Sequence, residues 1–158
     1  MKKFEFTGET KTISLFFRTA TLHRIRAVAE FGLVKIGDLG GWIEKEENLS
    51  HEGKAWVCGD AKVWGNAEVC GDAKVFSASH VLVIGAIGSR DDFTTFFRDK
   101  DNEITVKCGC FLGKIDKFLE KVTQTHGDSK YALVYRAAVE VARLQIDLSG
   151  EAPKDADE

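Results

Sequence analysis

A six-residue repeat fills the middle of this chain and restricts what it can fold into. From Ala55 to Ala78 it reads AWVCGD, AKVWGN, AEVCGD, AKVFSA, on the frame Ala-x-Val-x-Gly-[Asp/Asn]. Gly53, Gly59, Gly65 and Gly71 recur at that period, as do Val57, Val63, Val69, Val75 and Val81. A short fixed period marks a solenoid in which each repeat is one short strand and a turn. Alternation along a strand then places the valines inward, and with them Ala61, Ala67, Ala73 and Ser79. Small side chains suit a crowded axis. The Gly-[Asp/Asn] pairs suit corners, because glycine accepts positive φ and Asp or Asn bonds its own backbone.

The valine-then-alanine spacing of Val57/Ala61, Val63/Ala67 and Val69/Ala73 resembles the hexapeptide repeat of left-handed parallel β-helices. In that family three hexapeptides make one coil of about 18 residues. The resemblance implies that Val57 stacks on Val75, Val63 on Val81 and Val69 on Ile87. On the outside it stacks Cys58 on Phe76, Trp64 on Leu82, Trp56 on Lys74 and Lys62 on His80. Two such coils bury too little to stand alone, so the flanks must cap both ends. The outward row Cys58, Trp64, Cys70, Phe76 and Leu82 is apolar and needs a cover, either the C-terminal helices or another subunit. Hexapeptide proteins pack as trimers, so the resemblance implies a homo-oligomer, a trimer or a dimer of trimers.

Four segments follow. Residues 1–48 hold strand-like runs (KFEF, KTISLFF, TLHRIRAVAEF) and form an N-terminal β cap. Residues 49–88 are the repeat zone. Residues 89–148 read as a ββαα module: FTTFFR, a polar turn DKDN and EITVKCGCF as a hairpin, then two helices. Ile115, Phe118, Leu119 and Val122 carry the first helix, which stops at Gly127. Asp128 or Ser129 caps the second, whose apolar stripe is Tyr131, Val134, Tyr135, Ala138, Val141, Ala142 and Leu148. Residues 149–158 are acidic and expected to be disordered. The expected fold class is mainly β with C-terminal α, a short left-handed β-helix between the cap and the module.

The flanks carry a second resemblance. GDLGGWIEKEENLSHEG before the repeats, and GSRDDFTTFFR, CGCFLGKIDKFLEKV and THGDSKY after them, resemble a group of small phage and prophage proteins. These carry variable numbers of hexapeptides and are often labelled hypothetical proteins or hexapeptide transferases. The similarity runs from residue 3 to about 145. It lapses at SLFFRTAT (Ser14 to Thr21), which reads as an insertion, and this chain has few repeats.

Bulk properties narrow the function. A net charge of -3 argues against a nucleic acid polymer as partner. No apolar run approaches the roughly 20 residues of a membrane helix, and ISLFF is far shorter. MKKFEFTGE has neither an apolar core nor a cleavage site, which points to the cytoplasm, and the phage resemblance implies that of a bacterial host. There Cys58, Cys70, Cys108 and Cys110 are reduced thiols. Cys108 and Cys110 form CGC, which is not zinc-finger spacing. They read as small core residues, or as alternate strand residues able to touch a ligand.

Two clusters suggest binding. Ser89 and Arg90 leave the last repeat strand after a glycine, offering a hydroxyl and a guanidinium for phosphate or carboxylate. Thr94, Thr95 and Arg98 follow; alternation puts Thr94, Phe96 and Arg98 on one face and Phe93, Thr95 and Phe97 on the other. The plain alternative is a structural Arg90 paired to Asp91, Asp92 or a helix end. His126, Lys130, Tyr131 and Tyr135 form a polar-aromatic group able to stack on a base, or serve as ordinary helix-end residues. His80, pointing outward late in the repeats, is the one candidate for the general base of an acyltransferase, and otherwise a solvated surface histidine. His51 falls in the valine frame and marks where the repeats have not begun. GxxxxGK[ST] is absent, as is metal-ligand spacing, so no cofactor or metal is expected. The residues favour a non-catalytic protein that captures a small anionic ligand; the resemblance implies that it is phage-encoded, which would make that ligand a nucleotide immune signal of an anti-phage defence system. The alternatives are a hexapeptide acyl- or nucleotidyltransferase and a structural or adaptor protein.

Overall fold

The computed structural model describes residues 1–149; the expected disorder of the tail falls, from residue 150 on, outside the described residues. The N-terminal run forms β1 (Phe4–Ser14), β2 (Thr19–Ala27) and β3 (Leu39–Ile43). The repeats give three two-residue strands: β4 (Trp56–Val57), β5 (Lys62–Val63) and β6 (Lys74–Val75). Longer strands follow as β7 (Val81–Ile87), β8 (Asp92–Arg98), β9 (Ile104–Cys108) and β10 (Phe111–Lys114). Two helices close the chain, α1 (Ile115–His126) and α2 (Lys130–Gln145). No helix among the described residues is long and apolar enough to cross a membrane.

The expected regular left-handed β-helix is not there. The fold is mixed α/β, made of small antiparallel and mixed sheets. One sheet has the order β1-β2-β3-β5, a second β10-β9-β8-β7, and β4 pairs with β6 alone. Val57 does pair in parallel with Val75, one 18-residue period away. The other valine stackings fail. Val63 pairs with Ile43 of the N-terminal sheet, and Val69 bridges to Leu49. Val81 and Ile87 lie in an antiparallel hairpin against Phe97 and Asp92. The reason is range: each repeat supplies two strand residues, and clear repeats end soon after the first coil. Strands without a partner one coil away take one from a flank.

Burial explains why the repeat still folds tightly. Val57, Val63, Val69 and Val75 and the intervening Ala61, Ala67 and Ala73 are all buried in one core with Phe4, Ile25, Ile43, Leu49 and Phe97. Four buried valines contribute roughly 1.5 to 3 kcal/mol each. A two-residue strand pair adds only a hydrogen bond or two at about 1 kcal/mol net. Side-chain burial, not sheet pairing, therefore holds the repeats.

Polar side chains stitch the N-terminal segment to them. Asn48 is fully buried; its Nδ2 donates to the carbonyls of Gly65 at 3.1 Å and Ala67 at 2.9 Å, and its Oδ1 accepts from the Lys45 amide at 3.0 Å. Glu44 receives Arg18 through both carboxylate oxygens, at 2.6 and 3.0 Å, and the Gly65 amide at 2.8 Å. The Arg18 guanidinium, with help from Gly65, holds the Glu44 carboxyl down at about 2. Buried Lys3 donates from Nζ to the Ala55 carbonyl at 2.7 Å, and its amide donates to His51 Nδ1 at 3.0 Å. His51 therefore docks the N-terminus, stacked on Phe4 at 4.2 Å.

The apolar outer row does not exist as one face. Trp64 packs under the N-terminal hairpin with Ala20, Leu22 and Trp42, whereas Leu82 packs against the helices. Cys58 and Cys70 pack against the repeat core. Phe76 is half-exposed and covers the Arg98 guanidinium at 4.8 Å. The pairing of Trp56 with Lys74 holds, but both are buried rather than outward.

Strand β8 is a wall between two cores. Phe97 enters the repeat core and Phe96 the second core, with Phe118, Val122, Tyr135, Ala138 and Val139 of the helices. Gly127, at φ 58, ends α1, and Ser129 stands at the N-terminus of α2 without a side-chain cap bond. The buried stripe of α2 is Ala132, Tyr135, Ala138, Val139 and Ala142; Tyr131 and Val141, expected in it, are exposed. In the β8–β9 turn, Lys114 Nζ lies 3.1 Å from Asp99, 2.9 Å from Asp101 and 3.6 Å from Glu103.

Two stability predictions follow from this packing. Asn48→Ala orphans two buried carbonyls and an amide, and urea denaturation should show a loss of about 3 kcal/mol. Ala67→Leu forces a larger side chain into the valine core and should cost about 1 to 3 kcal/mol in the same assay. An unchanged midpoint in either variant would refute the corresponding packing.

Candidate functional site

The β7–β8 turn and the β9–β10 hairpin corner meet the helix pair around a pocket of about 270 Å³. Its lining includes Ser89, Arg90 and Asp92 from the turn and Cys108, Gly109 and Cys110 from the corner. Phe111 of β10, Phe118, Lys121, Val122, Thr125 and His126 of α1 and Tyr135 of α2 complete it. The volume sits near the lower edge of ordinary small-molecule sites.

Local sequence builds the turn. Gly88 has φ +79, and a Cβ there would stand 1.9 Å from the Tyr135 hydroxyl oxygen. Only glycine lets the turn lie against α2. Asp91 follows at φ 49, a conformation Asp tolerates better than most residues. The turn exposes Ser89 and Arg90 at the pocket rim. Arg90 makes no hydrogen bond or ion pair with any described residue, so the expected pairing to Asp91 or Asp92 is not seen. Lys121 is likewise an exposed cation without a partner among the described residues. Asp92 is the one carboxylate in the lining, and its Oδ1 accepts from the Phe93 amide at 2.7 Å.

Aromatic rings form the inner wall. His126 stacks on Tyr135 at 5.7 Å and 26°, and its ring also lies 5.8 Å from that of Tyr131, tilted by 55°. Phe118 meets Tyr135 edge-on at 5.6 Å. The Cys108 thiol acts on the Tyr135 hydroxyl. Burial, and then Cys108, pushes this phenol up to about 12. Thr94 Oγ1 donates to the same sulfur at 3.4 Å.

The structure thus gathers Ser89, Arg90, His126 and Tyr135 into one site, with Tyr131 beside His126 and Thr94 behind Cys108. Lys130 lies in the first turn of α2, outside the lining. Thr95 and Arg98 belong elsewhere. Thr95 Oγ1 accepts from the Glu68 amide at 3.0 Å, tying β8 to the repeats. Arg98 is buried, and its Nε donates to the Lys74 carbonyl at 3.1 Å. Sequence reasoning missed Lys121 and Thr125, one helical turn apart on α1, and set Cys110 on a strand rather than at an exposed corner.

His80 is neither outward nor solvated. It is buried beside Phe76 and accepts the Phe76 amide at Nδ1, 3.0 Å away. Burial, then Arg98, lowers its pKa. Among the described residues no group of three or more His, Cys, Asp and Glu is placed to hold a metal ion. The chain matches no protein-family model and no curated protein, so the functional reading rests on the geometry above.

The Tyr135 environment is testable. In Tyr131→Phe, Tyr135 is the one tyrosine left. Its raised pKa means that its contribution to stability is whole below the ordinary phenol value of 10.0 and is lost as pH rises toward about 12. Alkaline absorbance should show a midpoint near 12 while the circular dichroism stays native. A midpoint at the ordinary phenol value in the folded protein would remove the buried contact.

Proposed function

We propose that this chain is a non-catalytic binding protein that captures a small anionic, nucleotide-like ligand in the Arg90 pocket. On this reading it is phage-encoded, acts in the cytoplasm of the bacterial host and sequesters a nucleotide immune signal. One observation carries the binding reading. Two cations with no hydrogen bond or ion pair among the described residues, Arg90 and Lys121, line a concave site walled by the stacked rings of His126 and Tyr135. Guanidinium and ammonium suit phosphate, and an aromatic wall suits a base. The buried, hydrogen-bonded state of His80 supports binding over the acyltransferase alternative, which needs an accessible base.

Self-association belongs to the same proposal. The trimer expectation rested on parallel helix faces that the fold lacks. Support now comes from the outer face of α2, where Leu133, Val141 and Leu144 are exposed on the side opposite its buried stripe.

Calorimetry with cyclic and linear nucleotides tests the proposal. Arg90→Ala should weaken binding roughly tenfold to a hundredfold, the cost of one charge-assisted contact. The ligand recovered by chromatography should be intact. Conversion of the ligand would favour the transferase, and no binding at all would favour a structural role.

A further inference from the structure

The pocket rim carries chemistry that ligand capture does not use. Cys108 ends β9 and Cys110 sits exposed at the hairpin corner, and both line the same pocket. We propose that these two thiols are a redox pair, oxidised to a Cys108–Cys110 disulfide by a small carboxylate-bearing disulfide such as glutathione disulfide. The proposal shares with the proposed function the reading of the Arg90 and Lys121 rim as anion-attracting.

Geometry permits the bond. Only Gly109 separates the cysteines, and Cys108 pairs directly with Phe111, so Gly109 and Cys110 are the whole turn. Two Cα steps of about 3.8 Å, bent at a tight corner, end about 5.5 Å apart. That lies inside the roughly 4.4 to 6.8 Å that a disulfide spans. Gly109, at φ +58, leaves the corner without a side chain in the way.

The surroundings select the oxidant. Arg90 Nη1 lies 3.9 Å from where a Gly109 Cβ would stand, which puts the guanidinium at the corner. Lys107 Nζ donates to the Gly109 carbonyl and lies 3.9 Å from Glu68, and Lys121 lines the pocket from α1. Arg90 and Lys121 line the same pocket as the exposed Cys110 thiol and there concentrate an anionic disulfide. The other two cysteines, Cys58 and Cys70, also have cations nearby but are not exposed. Cys58 and Cys70 pack against the repeat core, and burial pushes both thiols up, Cys58 to about 11.

The exchange balances as two displacements. The Cys110 thiolate attacks one sulfur of glutathione disulfide, the S–S bond breaks, and one glutathione leaves as a thiolate and takes a proton. The Cys108 thiolate then attacks the Cys110 sulfur and expels the second glutathione, which also takes a proton. Two protein thiols are oxidised and one glutathione disulfide is reduced to two thiols. Cys108 Sγ gives up its contacts with Thr94 and Tyr135, so the pocket wall changes with redox state.

The test treats the whole chain with glutathione disulfide and reads intact mass and peptide maps. Wild type should lose two hydrogens, with the bridge inside the peptide that holds both cysteines. Cys108→Ser, which keeps a hydroxyl beside Thr94 and Tyr135, should stop with one glutathionyl group on Cys110. Cationic cystamine should react about tenfold more slowly than glutathione disulfide, the low end of electrostatic steering in clefts. Arg90→Ala combined with Lys121→Ala should erase that difference. An unmodified wild type, a lasting mixed disulfide, reaction at Cys58 or Cys70, or equal rates for the two disulfides would each overturn the proposal. The wild-type bridge decides the matter even where a variant fails to fold. Mass reports the thiols independently of any nucleotide, so failed nucleotide binding and failed oxidation are separate results.

Discussion

Two adjacent residues without side chains, Gly40 and Gly41, set the distance on which the molecule is built. A Cβ at Gly41 would stand 2.5 Å from the Ala61 carbonyl oxygen, and one at Gly40 2.7 Å from both Ile25 and Trp56. Nothing larger than hydrogen fits between β3 and the first repeats. That closeness lets the Trp42 amide reach the Ala61 carbonyl at 2.9 Å and the Glu44 amide reach the Val63 carbonyl at 3.1 Å. Glu44 and Asn48 then continue the seam to Gly65 and Ala67. The repeats borrow from β3 the sheet partner that a longer solenoid would find in its own next coil.

The inner face of the repeat was legible because alternation and residue size are local signals. Val57 to Val75, and Ala61, Ala67 and Ala73 between them, are all inside. The pairing was not legible, because it depends on what else lies within reach. Val63 has no coil to stack on and takes Ile43, a contact that no period in the sequence encodes. The helices were marked by Phe118 and Val122 and by the stop at Gly127, but the inner face of α2 was set by packing. Small Ala132 and Val139 face in, and Val141 faces out.

The site was legible in part for the same reason. Gly88, Ser89 and Arg90 announce a turn that offers an anion contact, and His126 with Tyr135 announces an aromatic pair. Their meeting is a tertiary event, made by the Gly88 backbone lying against the Tyr135 hydroxyl. Strand parity put Arg98 on the face of Thr94 and Phe96. Near the end of β8 its long side chain reaches instead to the Lys74 carbonyl and lies beneath Phe76. Thr95 faces the repeats, where its hydroxyl serves the Glu68 amide. A threonine that looks like a ligand contact in sequence can be a backbone anchor in space.

The β8–β9 turn holds Asp99, Asp101 and Glu103 at alternate positions, a spacing that elsewhere wraps a calcium ion. Here Lys114 points its ammonium into the carboxylates. Their hydrogen bonds and charge keep that lysine protonated well beyond its ordinary range. The turn thus carries a covalently tethered counter-ion, and a divalent ion would first have to evict it. With that ammonium in place the carboxylates are neutralised without a metal ion. The strand that begins beyond it runs on to Cys108, so one wall of the pocket has a foundation indifferent to the mineral content of the medium.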